Sequence, residues 1–408
     1  MSVTIKEAIN LIISQKVKLD TQIVPIENAL NRISAKKIEA KIALPIFDNS
    51  AMDGYALKSK KGFKKNERFK VIGKILAGED KDFVLGEFEA VKIMTGAKVP
   101  KSADTVIPQE YVKSFENEIE LLEDIKKDAN IRRRGEDINE GEIVLDTGDE
   151  INAAHIALLA SQGITHIEVF AKPKIAVFVS GSELKLHFEK LKGSQIYNSN
   201  TYYLISRIKE LGCEAIFVGK SKDDLDSIKD FIKRSLKYDM IITTGGVSVG
   251  EADYTKRAFE ELGFEKIFSK VKIRPGKPTT FGKIEDTFIL NLPGNPLAGA
   301  LNFEIFGRIL INMKKGVKDI YHSFIKTPIL DDFKRKKGAD AVIPGLLTNE
   351  GFKVADKFAP GMVNVLNRCN GFIVLSAEVE ELKRGDEVKF IPINWSFRSG
   401  EFLDFITK

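Results

Sequence analysis

Hydroxyl, glycine and carboxylate residues crowd into one short turn of the sequence, TTGGVSVGEADY, residues 243–254. It follows the apolar run Met240-Ile241-Ile242 and precedes a helical pattern, TKRAFEELG. A glycine-rich turn between a strand and a helix gathers exposed backbone N–H groups, which suits a phosphate. Two carboxylates close the turn, Glu251 and Asp253, and they would repel one. A divalent cation lying between them removes the conflict, since hard cations take carboxylate oxygen. The turn is neither GxxxxGK[ST] nor GxGxxG. Gly, Asn and Asp also dominate ordinary loops, so taken alone it reads more readily as a plain turn.

Two further turns change that balance. The run KIAVFVS leads into Ser180-Gly181-Ser182-Glu183, and TFILNL leads into LPGNP, residues 292–296. If the three apolar runs are neighbouring strands, all three turns share one edge. Gly245, Gly246 and Gly250 would then admit a phosphate to the backbone, with Glu183 and Asp253 on the neutralising cation. KIRPGKP, residues 272–278, adds cations: Arg274 can grip an oxyanion with two parallel N–H groups, and Lys277 supplies a point charge. The same loop reads equally as a solvated β-turn with surface bases. FDNSAMDGYA (47–56) and IMTGAKVP (93–100) are far off in sequence, and on chemistry alone Asp53-Gly54 is a turn.

The elements that must position these residues follow from periodicity. From about residue 173, buried runs alternate with amphipathic ones: KIAVFVS, SNTYYLISRIKELG, EAIFVG, DDLDSIKDFIKRSL, MIITTGG, YTKRAFEELG and TFILNL. PLAGALNFEIFGRILINM then reads as a helix beginning at Pro296. Such alternation calls for a doubly wound, mostly parallel sheet, whose ligands bind at the carboxyl ends of the strands. Between about 41 and 139, short runs such as FKVIGKIL, AVKIM and DTVIPQEYV are separated by Gly, Pro and Lys, as in β-structure. After 320, FKVADKF, GFIVLSAEV and DEVKFIPI suggest a small β-barrel or sandwich. Residues 2–14 read as a helix capped by Ser2 or Thr4, and 152–163 as another, capped by Asn152 and stopped by Gly163.

Composition excludes several function classes. With 63 basic against 58 acidic residues, the net charge of +5 over 408 residues is weak footing for nucleic acid. The densest basic cluster, Arg132 to Arg134, is expected to be offset by Glu136 and Asp137. Cys213 and Cys369 form no disulfide framework, and four scattered histidines make a His/Cys zinc site improbable. No run approaches a membrane span, and the start lacks the pattern of a signal peptide, so a cytoplasmic protein is expected.

DNSAMDGYA, IMTGA, RRRGEDI, GGVSVGEADYTK, RPGKP and LPGNP occur in the order found in molybdopterin molybdenumtransferases of the bacterial MoeA type, related to the gephyrin E domain. The resemblance covers nearly the whole chain. It implies an enzyme that binds adenylylated molybdopterin and molybdate, inserts molybdenum at the dithiolene sulfurs and releases AMP with magnesium. It implies a homodimer of four-part subunits: 1–40 with 140–172 as an elongated helical and β dimer domain, 41–139 as a β-rich insertion, 173–320 as the molybdopterin-binding domain and 321–408 as a β-barrel. Glu183 and Asp253 fall on the family's essential acids near the metal, and Asp53 and Thr95 on positions contributed across the dimer. Asp137 matches a further functional acid, and Asp223-Asp224 an acidic pair after the second strand. Arg274 and Lys277 match the oxyanion's cations. Pro293 and Pro296, with Gly294 and Asn295 between them, shape the pterin pocket, and Gly245, Gly246, Ser248 and Gly250 form the glycine-rich turn.

The chain departs from the family pattern twice. TGDEL is SGSEL here, so Ser182 replaces an aspartate, and YDSN is YNSN, so Asn198 replaces another. Each change removes a carboxylate near the implied metal. A paralogue that holds the pterin without completing insertion is therefore a rival. A molybdopterin adenylyltransferase is a second, against which DNSAMDGYA, IMTGA and the β-rich tail argue.

Overall fold

The computed structural model describes residues 2–59, 61–221, 224–245, 254–394 and 406. The protein is a mixed α/β chain with several sheets, and it divides into two compact units. One is formed by residues 36–146 and 153–166, the other by the remainder.

The larger unit is organised by a six-stranded sheet. Its order is Glu214–Ser221, Lys174–Ser180, Met240–Thr244, Thr287–Leu292, Thr280–Ile284, Glu265–Phe268. The first four strands are parallel and the last two antiparallel. Successive side chains of a strand point to opposite faces, and both faces are buried here. Ile175, Val177, Met240, Ile242, Phe288 and Leu290 pack on one side with Leu204, Ile208, Leu301 and Ile309. Ala176, Phe178, Ile241 and Ile289 pack on the other with Ile228, Ile232, Ala258 and Phe259. Such two-sided burial is why these strands read as unbroken apolar runs.

The amino-terminal helix Ile5–Ile13 also joins this core through Ala8 and Ile12. Thr4 is its cap: the Glu7 amide donates to Thr4 Oγ1 at 3.2 Å, and the Thr4 amide donates to Glu7 Oε2 at 2.7 Å. The helix beginning at Pro296 is not continuous. It runs as Pro296–Asn302, a π-helical stretch Phe303–Gly307, and Arg308–Lys315. Gly307 sits in that stretch because a Cβ there would come within 2.6 Å of the Phe303 ring.

A second sheet of this unit follows residue 324. Asp340–Leu347, Gly371–Leu375, Glu387–Pro392 and Ile325–Pro328 are antiparallel neighbours, with Phe352–Val354 paired to the first. The short strand Ile273–Arg274 joins it in parallel register, Arg274 opposite Ala341. The start of the RPGKP loop is thereby fixed to this sheet.

The smaller unit holds another six-stranded sheet, ordered Thr105–Pro108, Gly54–Leu57, Glu89–Ile93, Arg68–Ile75, Glu118–Leu121, Val112–Ser114. Alternation again sorts its faces: Tyr55, Leu57 and Ala90 enter one core, Ala56, Val91 and Ile93 another. Gly54 admits no side chain, since a Cβ would lie 2.0 Å from the Ile107 carbonyl oxygen of the paired strand.

Candidate functional site

The carboxyl ends of the parallel strands open onto a cleft of about 870 Å³. Glu183, Gly245, Lys277, Pro293, Gly294, Asn295 and Pro296 all line it, so most of the described positions singled out in this unit come together. Gly246, Ser248, Gly250 and Asp253, with Asp223, lie outside the described residues.

Gly245 in the cleft's lining and Gly181 beside it are both held in conformations that favour glycine. Gly245 has φ +90°, a conformation that favours glycine, and a Cβ there would come within 3.0 Å of the Ser180 carbonyl. Gly181, at φ +147°, leaves room for its neighbour's acid: a Cβ would sit 2.9 Å from Glu183 Oε2. Glu183 is exposed, and its carboxylate has no cationic partner among the described residues. It is the one acid of the described cleft lining. No group of three or more His, Cys, Asp or Glu suited to a metal exists among the described residues.

The RPGKP loop is a turn with exposed bases that is anchored from inside. Asn302, fully buried, donates from Nδ2 to the Pro275 carbonyl at 3.1 Å and accepts from Thr279 Oγ1 at 2.9 Å. Thr279 Oγ1 also lies 2.9 Å from the Gly276 carbonyl. The loop is thus held from inside while Arg274 and Lys277 stay exposed, with no carboxylate partner among the described residues. Both line a second pocket of about 560 Å³, which shares Lys277, Pro278, Pro293 and Asn295 with the cleft.

Three expected positions find other surroundings. Asp224 caps the helix Leu225–Ser235, accepting the Ser227 amide at 2.8 Å, and is not among the cleft's lining residues. Asn198 does line the cleft but is buried, and its side chain is turned onto the next helix. Oδ1 accepts the Thr201 amide at 3.2 Å and Nδ2 donates to Thr201 Oγ1 at 2.8 Å. The arginine cluster pairs with acids other than Glu136 and Asp137, including Glu140, 3.9 Å from Arg134. Arg133 pairs with Asp48 at 2.8 Å and Asp128 at 3.0 Å, while the Glu136 carboxylate accepts the Arg133 amide.

In the smaller unit, Asp53 and Thr95 meet. Asp53 Oδ1 accepts the Thr95 amide at 2.7 Å and the Thr95 hydroxyl at 2.8 Å. These bonds hold the Asp53 carboxyl below its ordinary range, the backbone donor contributing most. Asp137 is exposed in the same unit, and its backbone amide donates to the Leu44 carbonyl.

Sequence reasoning missed three residues that build the cleft. Asn200 donates to the Gly294 carbonyl at 2.7 Å, tying YNSN to LPGNP. Asn302 pins the cationic loop. Glu304, with no exposed surface, gathers Tyr203 Oη at 2.9 Å, Arg207 Nε at 2.8 Å and Arg308 Nη1 at 3.4 Å. The available signal was polar residues inside an otherwise apolar helical pattern, LNFEIFG, since such residues are rarely buried without partners.

Comparison with known proteins finds matches along most of the chain. Residues 3–163 match the model of the MoeA N-terminal region (domain I and II), 176–312 a "Probable molybdopterin binding domain", and 326–393 the MoeA C-terminal region (domain IV). The chain is 34% identical over 398 residues to the molybdopterin molybdenumtransferase of Staphylococcus aureus strain COL, covering 95% of each. It is 32% identical to that of Staphylococcus epidermidis, with the same coverage. Among solved structures it resembles a molybdopterin biosynthesis MoeA protein of Pyrococcus horikoshii, with a TM-score of 0.81 at 32% identity over 97% of this chain and 100% of that one. Family models over most of its length, and relatives above 30% identity end to end, make this chain a member of the MoeA family of molybdopterin molybdenumtransferases.

Proposed function

We propose that the protein inserts molybdenum from molybdate into adenylylated molybdopterin and releases AMP. The observation that carries this reading is a cleft lined by Gly245, Glu183 and Lys277, with Arg274 in the adjoining pocket on the same braced loop. Its chain does four things. Gly245 lets a phosphate approach the backbone. Arg274 and Lys277 hold the oxyanion, which enters as substrate. Glu183, with Asp253, would hold Mg²⁺ through carboxylate oxygen, the donor that hard cations prefer. The bound ion would neutralise the charge of the phosphates and leaving AMP. Pro293 and Pro296 border the space for the pterin. No side-chain nucleophile is required: burial pushes the Cys213 thiol up to about 12 and Cys369 up to about 11, away from thiolate chemistry.

The same reading includes a homodimer in which the second copy supplies Asp53 and Thr95, with Asp137 as a further functional acid. It also includes the four-part division at 1–40 with 140–172, 41–139, 173–320 and 321–408. Purified protein incubated with adenylylated molybdopterin, molybdate and Mg²⁺ should release AMP. Binding of the pterin without AMP release would make the chain a carrier, and turnover only with ATP and unmodified pterin would make it an adenylyltransferase.

A further inference from the structure

The two cations of the RPGKP loop are anchored to different parts of the larger unit. Arg274 lies on the short strand Ile273–Arg274, which pairs with Asp340–Leu347 of the second sheet. Just past Lys277, Thr279 donates to Asn302, on the helix that begins at Pro296. Only Pro275 and Gly276 separate the two cations in sequence. The way the second sheet seats against that helix therefore sets where Arg274 stands relative to Lys277.

A buried polar cluster lies within this seat. Glu304 follows Asn302 by two residues on the same helical run and has no exposed surface. Arg207 donates to it from Nε at 2.8 Å and from Nη2 at 3.1 Å. The same Nη2 donates to the Ile393 carbonyl at 3.1 Å. Arg308 Nη1 lies 3.4 Å from Glu304 Oε2 and donates to the Pro392 carbonyl at 2.8 Å. Pro392 ends the strand Glu387–Pro392 of the second sheet, and Ile393 follows it. One carboxylate thus orients two guanidinium groups, and each of these grips a backbone oxygen at the end of that sheet. Desolvation offsets much of the attraction in such a cluster, so an apolar contact would serve stability as well. What an apolar contact lacks is direction, which the planar fork of a guanidinium supplies.

We propose that Glu304 is a positioning residue for the cationic loop: through Arg207 and Arg308 it fixes the seat of the second sheet, and with it the spacing of Arg274 and Lys277. The inference rests on the oxyanion role proposed above for those two side chains. Backbone bonds at the other end of the seat report on it directly. The Pro360 carbonyl accepts the Leu297 amide at 3.0 Å and the Ala298 amide at 3.4 Å, and the Asp340 amide donates to the Lys272 carbonyl at 3.2 Å. Pro360 and Lys272 both line the pocket of Arg274 and Lys277.

The test compares Glu304→Gln with Ile228→Ala, which destabilises from the opposite face of the central sheet. Two measurements are made on the full chain at a temperature where both variants are folded. One is calorimetric titration with molybdate, and the other is hydrogen exchange at peptides covering Leu297–Ala298 and Asp340–Ala341. Glu304→Gln should weaken molybdate binding by about tenfold, as for the loss of one charge-assisted contact, and should speed exchange at both peptides relative to the control. Ile228→Ala should lose stability and keep its molybdate affinity. Unchanged affinity in Glu304→Gln, or equal changes in the two variants, overturns the proposal and leaves the cluster a structural one. If Glu304→Gln does not fold, Arg308→Lys takes its place with the same outcomes, since it keeps a cation beside Glu304 and gives up the guanidinium fork. Arg274→Ala separates the underlying reading: if it binds molybdate as wild type does, the oxyanion role falls, and the exchange result still decides whether Glu304 sets the seat.

Discussion

Thr95 gives both its amide and its hydroxyl to one oxygen of Asp53, at 2.7 and 2.8 Å, across 42 residues of sequence. Oδ2 of the same carboxylate accepts no hydrogen bond among the described residues. The two donors depress the Asp53 pKa, so the group favours the folded state above its unfolded pKa, and that contribution is lost as pH falls through the folded value. Thr95→Val keeps the amide and removes the hydroxyl. The Asp53 pKa should then rise toward the ordinary carboxylate value without reaching it. Carboxyl NMR titration of both proteins measures this, and identical titration curves would show that the hydroxyl is not a donor to Asp53.

The second prediction separates the cations from the brace beneath them. Arg274→Ala and Lys277→Ala should weaken molybdate binding with little change in thermal stability, since both side chains are exposed. Asn302→Ala should do both. It removes the bond to the Pro275 carbonyl and leaves buried polar groups without partners, at a cost of about 1–3 kcal/mol. Molybdate titration and thermal unfolding, run on the three variants, check this. An unstable Asn302→Ala protein with normal molybdate affinity would show that the loop's shape is not needed for the anion.

How far these relationships were legible depends on what kind of signal each leaves. The parallel strands announced themselves because burial on both faces forces unbroken apolar runs such as KIAVFVS and TFILNL. The antiparallel strands Thr280–Ile284 and Glu265–Phe268 have mixed composition at the sheet's edge and left no comparable pattern. Gly245 and Lys277 could be placed from turn chemistry plus strand order. The side-chain targets could not. Nothing local distinguishes Asp224, which caps a helix, from Glu183, which faces the cleft, because both are acids just past a strand. Glu304 was hidden for a related reason: its partners Tyr203 and Arg207 come from a helix about a hundred residues earlier.

That buried acid supports the third prediction. Glu304 has no exposed surface and faces Arg207 and Arg308. Glu304→Gln keeps the shape and removes the charge, leaving two guanidinium groups poorly compensated. Breaking a buried pair in this way costs about 3–5 kcal/mol. Tyr203→Phe removes only one bond to a charged acceptor and should cost less, about 1.5–3 kcal/mol. Urea unfolding of the two variants gives the comparison. A Glu304→Gln protein as stable as wild type would mean that Glu304 is not an ionised partner of the arginines.

The last prediction concerns the two positions where a family aspartate is missing, which the structure shows to be different cases. Asn198 is buried and spends its side chain on Thr201, in the first turn of the helix Asn200–Glu210. An aspartate would accept the same amide and the Thr201 hydroxyl, and its charge would suit a helix start. Asn198→Asp should therefore fold normally and leave the magnesium requirement nearly unchanged, because its oxygens are already engaged. Asn198→Ala should lose about 1 kcal/mol of stability. Ser182 is exposed beside Glu183 at the cleft, with no such engagement among the described residues. Ser182→Asp adds a charge where a cation is proposed to sit, so it should lower the magnesium concentration needed for AMP release without destabilising the fold. Magnesium titrations of AMP release by wild type and both aspartate variants decide the matter. A lowered requirement from Asn198→Asp but not from Ser182→Asp would move the cation toward the YNSN turn. No response from either would remove both positions from the metal's surroundings.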